Sequence, residues 1–251
     1  MNKDFKELKN LQINNLTKLK DINALSSCKF PNLKRLIIGC AMIDDKCIDM
    51  LKKIELPIIK FISFFANKIT SPEIFDVINK FKSLEKFYIG HNPIDMKKLP
   101  SQNYIYNLPP NLIELGISYN FTKETNSFIY NNLNLENIQI IFVSGDGITS
   151  LERFKNIKFK KLEQFWVRGN IDIGYLESIE EIENIPSKET LIKLVLKQNK
   201  IKDIKKLVDL ISLFPKLKLL NLEDNEIEKE EIEKVKDIIE QKGFNRDIIK
   251  Y

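Results

Sequence analysis

The sequence predicts an α/β solenoid, in which short parallel strands stack into one sheet and helices or irregular crossovers return the chain along the opposite side. Three stretches predict it. In LEKFYIGHNPI, from Leu84 to Ile94, apolar residues stand at Leu84, Phe87 and Ile89, followed by Asn92 and Ile94. The same frame, L-x-x-L-x-L-x-x-N-x-L, returns in LIKLVLKQNKI from Leu191 to Ile201 and in LKLLNLEDNEI from Leu217 to Ile227. Period-two alternation makes a half-buried strand, and self-similarity at a fixed interval makes a stack of such strands.

With the frame fixed, weaker copies follow from the residue at the asparagine position. Asn67, Asn120 and Asn170 join Asn92, Asn199 and Asn225, whereas Ala41, Asp146 and a degenerate Leu16 fill it elsewhere. These nine positions are separated by 25, 26, 25, 28, 26, 24, 29 and 26 residues. An asparagine recurs because its amide both donates and accepts, and so satisfies backbone groups stranded where the chain bends out of the sheet. Aspartate accepts only, and alanine or leucine does neither, so the ladder is expected to be weakest near the amino terminus.

On these motifs the sequence resembles the leucine-rich repeat family, nearest to its intracellular ribonuclease-inhibitor-like type. The resemblance implies a horseshoe with a parallel β-sheet on the concave face, helices or irregular crossovers on the convex face, and a role in binding other proteins. The expected organisation is a single solenoid over 1–251: an amino-terminal cap repeat at 1–32, eight repeats at 33–227, and a capping helix with a tail at 228–251. Strands are expected at 33–38, 59–64, 84–89, 112–117, 138–143, 162–167, 191–196 and 217–222.

Along the chain, residues up to Pro31 carry apolar positions at nearly helical and repeat spacing at once, leaving strand and helix open there. After Ile43, Cys47, Ile48, Leu51 and Ile54 share a helical face, with Asp44 or Asp45 as its cap. Ser71-Pro72-Glu73 starts a helix buried through Ile74, Phe75, Ile78 and Phe81, expected to be the best helix of the amino-terminal half. Prolines 100, 109 and 110 predict an irregular crossover. LPPNLIELGISYNF resembles the Leu-Pro-rich repeats of some bacterial effectors and amoebal proteins, though it occurs once. The acidic stretch IDIGYLESIEEIENIPSKET is long enough for a helix plus a loop. Ile204, Leu207, Val208, Ile211 and Phe214 predict a helix capped by Asp203. A last helix buries Ile232, Val235, Ile238 and Ile239 and stops at Gly243.

Composition bounds the function. With 43% apolar and 30% charged residues, the 251-residue chain has material for a long core, and its net charge of +5 comes from dispersed lysines. No signal-peptide-like or membrane-spanning apolar run occurs, so a cytoplasmic location is expected. Cys28, Cys40 and Cys47 form no regular disulfide framework and read as reduced thiols. Cys47-Ile48-Asp49 resembles in spelling the catalytic cysteine of bacterial ubiquitin ligases with leucine-rich repeats, but those enzymes carry it in a separate helical domain. Here Cys47 lies on an apolar helix face and reads as buried. His91 is the one histidine. Without phosphate loops, nucleophile elbows or metal-ligand spacing, neither catalysis, cofactor nor metal is expected.

Outward positions of the strands map the expected binding face. The central column reads Ile37, Ser63, Tyr88, Gly116, Phe142, Trp166, Val195 and Asn221. The next outward column includes Phe65, Gly90, Ser118, Ser144, Arg168, Lys197 and Glu223, and the one beyond it His91, Tyr119, Gly145, Gln198 and Asp224. Phe65, Tyr88, His91, Tyr119, Phe142, Trp166 and Arg168 are therefore the candidate partner-binding residues, forming an exposed aromatic stripe with small residues between the rings. Against this stands packing of the rings on one another as cross-strand pairs. The expected function is a non-catalytic interaction scaffold with a protein partner, acting as a monomer or as one subunit of a larger complex. The alternatives are a nucleic-acid-associated module, disfavoured because lysines do not gather on the concave columns, or a bacterial or viral effector acting on host proteins.

Overall fold

A computed structural model of the chain describes residues 3–118, 129–143, 149–169 and 175–251. It has two compact units, Met1–Asn137 and Ile138–Tyr251. The first contains strands β1 (Asn10–Asn14), β2 (Arg35–Gly39), β3 (Phe61–Ser63), β4 (Lys86–Tyr88) and β5 (Glu114–Gly116). The second contains β6 (Ile140–Phe142), β7 (Gln164–Trp166), β8 (Lys193–Val195), β9 (Leu219–Asn221) and β10 (Ile249–Lys250). Pairing within each unit is parallel and follows chain order. The fold is the α/β leucine-rich-repeat solenoid that the sequence frame predicts.

Register puts like positions of successive repeats beside one another. Leu36, Ile62, Phe87 and Leu115 stand in one inward column, and Ile141, Phe165, Leu194, Leu220 and Ile249 in another. All nine are buried, and each such side chain contributes on the order of 1.5 to 3 kcal/mol by leaving water. The eight expected strand windows each contain an observed strand, and β2 runs one residue further, to Gly39. Two further strands lie outside those windows. β1 resolves the open reading of the first repeat, and β10 turns the expected tail into a closing strand beside β9.

The asparagine ladder is built as anticipated. The Asn92 amide donates to the Phe64 and Ile89 carbonyls at 2.8 Å and accepts from the Ile69 N–H at 3.0 Å. Asn67, Asn199 and Asn225 repeat this three-way arrangement. Asn120, Asp146 and Asn170 lie outside the described residues. A second ladder, unanticipated, runs at the opposite ends of the strands, from the residue just before the first leucine of a repeat. Asn32 donates to the Lys6 carbonyl, Ser83 to Ile59, Asn111 to Lys82 and Thr190 to Leu162.

The crossovers are less helical than the spacing predicts. Helix α1 spans Lys46–Lys53, α2 Ile74–Ile78, α3 Leu207–Ile211 and α4 Lys229–Gln241. Thus α1, not α2, is the longest helix of the first unit. Asp44 caps the start of α1 by accepting from the Lys46 N–H at 3.0 Å. Asp45 instead ties two crossovers together, accepting from the Thr70 and Ser71 N–H groups at 2.7 and 2.9 Å. Asp203 caps a turn ahead of α3 rather than the helix itself. The acidic stretch forms a 3-10 turn, Ile179–Asn184, and the proline-rich segment a short 3-10 turn at Met96–Lys98. That segment is pinned by buried Tyr106, whose ring centroid lies 5.9 Å from that of Phe75, and by a parallel bridge from Tyr106 to Leu133. In α4, Ile232, Val235 and Ile239 are buried but Ile238 is 43% exposed, a correction to the four-residue stripe. The helix ends before Gly243, whose φ of +85° is the left-handed value glycine accepts readily.

Candidate functional site

Successive strand residues point to opposite faces, so the residues flanking the inward columns form the outer face of each sheet. In the first unit this face is organised around a ring pair. The Phe61 and Tyr88 centroids are 5.3 Å apart at 71°, and the Arg35 guanidinium lies 4.1 Å from the Phe61 centroid. The Tyr88 hydroxyl donates to Glu114 Oε1, while Lys86 Nζ sits 2.6 Å from Glu114 Oε2. The Glu114 side chain is only 8% exposed, and these two partners offset the cost of taking so polar a group out of water. Gly116 makes room for the tyrosine, since a Cβ there would collide with Tyr88 Cδ1.

Beyond the strand ends a second pair, Phe65 and His91, meets edge to face at 4.7 Å. Both are exposed, Phe65 by 41%. Partial burial lowers the His91 pKa, which favours the neutral ring at neutral pH. His91 has φ +57°, and Cys40, Ala66, Gln198 and Asp224 share this conformation. The residue just before Asn67, Asn92, Asn199 and Asn225 is thus left-handed as well as an outward position.

In the second unit the Phe142 and Trp166 centroids are 5.2 Å apart. Trp166 Nε1 donates to Gln164 Oε1 at 3.3 Å, and Lys193 Nζ stands 4.2 Å from the Trp166 centroid, a cation–π contact. Next to the rings is a charged chain. Arg168 donates to Gln198, Gln198 to Asp224, and Lys197 lies 3.4 Å from Glu223 and 3.2 Å from Asp224. Asn221, then Lys250 and Lys197, hold the Glu223 carboxyl at a pKa of about 2.

Of the candidate residues, Phe65, His91 and Arg168 are exposed, whereas Tyr88, Phe142 and Trp166 are half-buried against neighbouring side chains. The stripe is therefore partly a packed layer, the cross-strand alternative that the sequence left open beside the exposed one. Tyr119, Ser144 and Gly145 lie outside the described residues. Sequence reading missed Arg35, Phe61, Lys86, Glu114, Gln164 and Lys193, although the signal was present: positions 86, 88 and 90 share one face by period two. Cys47 is buried in α1, and burial, with the nearby Asp45 and Asp44 carboxylates, pushes its thiol pKa up, away from a reactive thiolate. Among the described residues, no cluster of three or more His, Cys, Asp or Glu could hold a metal ion, and no helix is long and apolar enough to cross a membrane.

No protein-family model matches the sequence, and no curated protein matches it. Among solved structures, the chain is similar to an internalin from Listeria monocytogenes, with 12% identity over 91% of this chain and 77% of that one, at a TM-score of 0.46. It is also similar to a chain of the mouse RP105/MD-1 complex, with 13% identity, coverage of 88% and 43%, and a TM-score of 0.39.

Proposed function

We propose that the chain is a non-catalytic scaffold that binds a protein partner through the outer face of its strands. The observation that carries this reading is the content of that face. A solvated sheet face is ordinarily polar, yet here it bears Phe61, Tyr88, Phe65 and His91 in one unit and Phe142 and Trp166 in the other. In each unit the rings stand beside cations, Arg35 and Lys86 in the first and Lys193 and Arg168 in the second, the mix of aromatic and cationic groups in which interface energy concentrates. Phe65, Tyr88, His91, Phe142, Trp166 and Arg168 are its contact residues, and Tyr119 is proposed with them from its repeat position. Half-burial fits this role, because an aromatic already held in place loses less entropy on binding. The free thiols Cys28, Cys40 and Cys47 suit a reducing compartment such as the cytoplasm.

The test compares two faces. A partner captured by the wild-type chain should bind Trp166→Ala and Tyr88→Ala more weakly, each by at least ~1 to 2 kcal/mol, with unchanged circular dichroism. Charge reversal at Lys52 and Lys80 should leave binding intact; these residues lie at the crossovers, where Lys52 pairs with Glu73 and Lys80 Nζ donates to the Lys52 carbonyl. Loss of binding from the lysine variants alone would move the site to the crossover side.

A further inference from the structure

We propose that β1 is an interface, along which two copies of this chain pair antiparallel about a two-fold axis through Gln12. The proposal concerns a different surface from the strand face and stands apart from it. Among the described residues, β1 pairs only with β2 and stands at the edge of the sheet. The Lys9 carbonyl accepts from the Arg35 N–H, and the Asn15 N–H donates to the Gly39 carbonyl. By strand alternation the peptide groups of Asn10, Gln12 and Asn14 then point away from β2, an unpaired row of donors and acceptors.

Exposed edges in natural sheets are ordinarily guarded by charge, proline or a bulge. β1, with the sequence NLQIN, has no charged residue and no proline, in a chain that is 30% charged. The core behind it is also uncovered. Leu8, Leu11, Ile13, Leu19 and Leu25 are half-exposed and Leu16 is 51% exposed. The end strand of the second unit, β10, pairs likewise with one neighbour, but by contrast its Ile249 is buried. A repeat stack needs a polar cap or a further layer at such an end.

The edge is complementary to itself, which commits its occupant to a second copy. With the axis at Gln12, Gln12 faces the second copy's Gln12, and Asn10 faces its Asn14. These are the residues whose peptide groups point outward, so three facing pairs would exchange about six hydrogen bonds. Between them Leu11 faces the second copy's Ile13 at the closer, non-hydrogen-bonded position. That joins the two uncovered apolar ends on the same side of a continuous sheet. A two-fold pairing also closes the edge and stops at two copies.

Sedimentation equilibrium across a concentration series tests this. The wild-type chain should approach twice its 29.4 kDa monomer mass. Gln12→Lys and Gln12→Glu, on the outward column of the strand, should each raise the dissociation constant by roughly fivefold, as like charges meet directly across the axis. An equimolar mixture of the two variants should recover wild-type affinity, which a merely destabilised fold could not do. A monomer at every soluble concentration, growth beyond two copies, unweakened variants, or a mixture that fails to recover would each overturn the proposal.

Discussion

Asn92 shows how much a single buried amide settles. Its hydrogen bonds reach one carbonyl of the preceding repeat, carbonyls at the end of its own strand and one N–H of the preceding crossover, so the side chain replaces the ladder partners that the backbone loses as it leaves the sheet. Replacing Asn92 with alanine leaves buried groups unsatisfied and should cost roughly 1 to 3 kcal/mol, read as a lowered denaturation midpoint with an unchanged m-value. Asn92→Asp should be no rescue, because a carboxylate cannot donate. A wild-type midpoint for Asn92→Ala would show that the turn holds without its amide. The chain is less well served at Ala41, where a buried methyl group stands in the same position. There the amino-terminal repeats rely on Asn67, which supplies an amide to the Ile38 carbonyl and to the Ile43 N–H from the next repeat.

At the scale of elements, crossover length decides less than crossover chemistry. Helix α1 has eight residues and buries Cys47, Ile48, Met50 and Leu51, while α2 and α3 have five each. Elsewhere a 3-10 turn suffices to bury two isoleucines, as at Ile179 and Ile182. An isolated helix this short is marginal, so packing of its apolar side, rather than propensity, keeps it folded. Helix α4, with 13 residues, gives a clean internal comparison. Ile232 is fully buried, whereas Ile238 is exposed. Ile232→Ala should cost about 2 to 5 kcal/mol, whereas Ile238→Ala should stay within about 1 kcal/mol. Equal losses in thermal unfolding would place Ile238 in the core after all.

At the scale of the molecule, stability in a repeat stack is a sum of local units and their neighbour contacts, so protection should grade along the chain. In dilute solution, amide hydrogens of Leu11 and Ile13 in half-exposed β1 should exchange before those of Ile62 and Phe87, whose side chains are wholly buried. Uniform exchange would mean that the first unit opens all at once and that its end strand is no weaker than its interior. Dimerisation through β1 would raise protection at Gln12 as concentration rises, because the outward N–H gains a partner.

Much of this architecture was legible in the amino-acid order. Alternation of apolar residues every second position admits one buried face, and an asparagine at a constant offset admits one kind of bend, so strands β2 to β9 and the ladder followed from local pattern alone. Helix extent was not legible, because Ser71-Pro72-Glu73 starts a turn equally well whether the next repeat leaves room for one helical turn or three. Neither was the state of the aromatic face. Phe61 lies next to Tyr88, and Glu114 is enclosed by Tyr88 and Lys86, only because register sets residues from different repeats side by side. Sequence determined which residues turn outward, since that depends on a chain's own periodicity. Tertiary structure decided how far each remains in water, since burial depends on neighbours some 25 residues away.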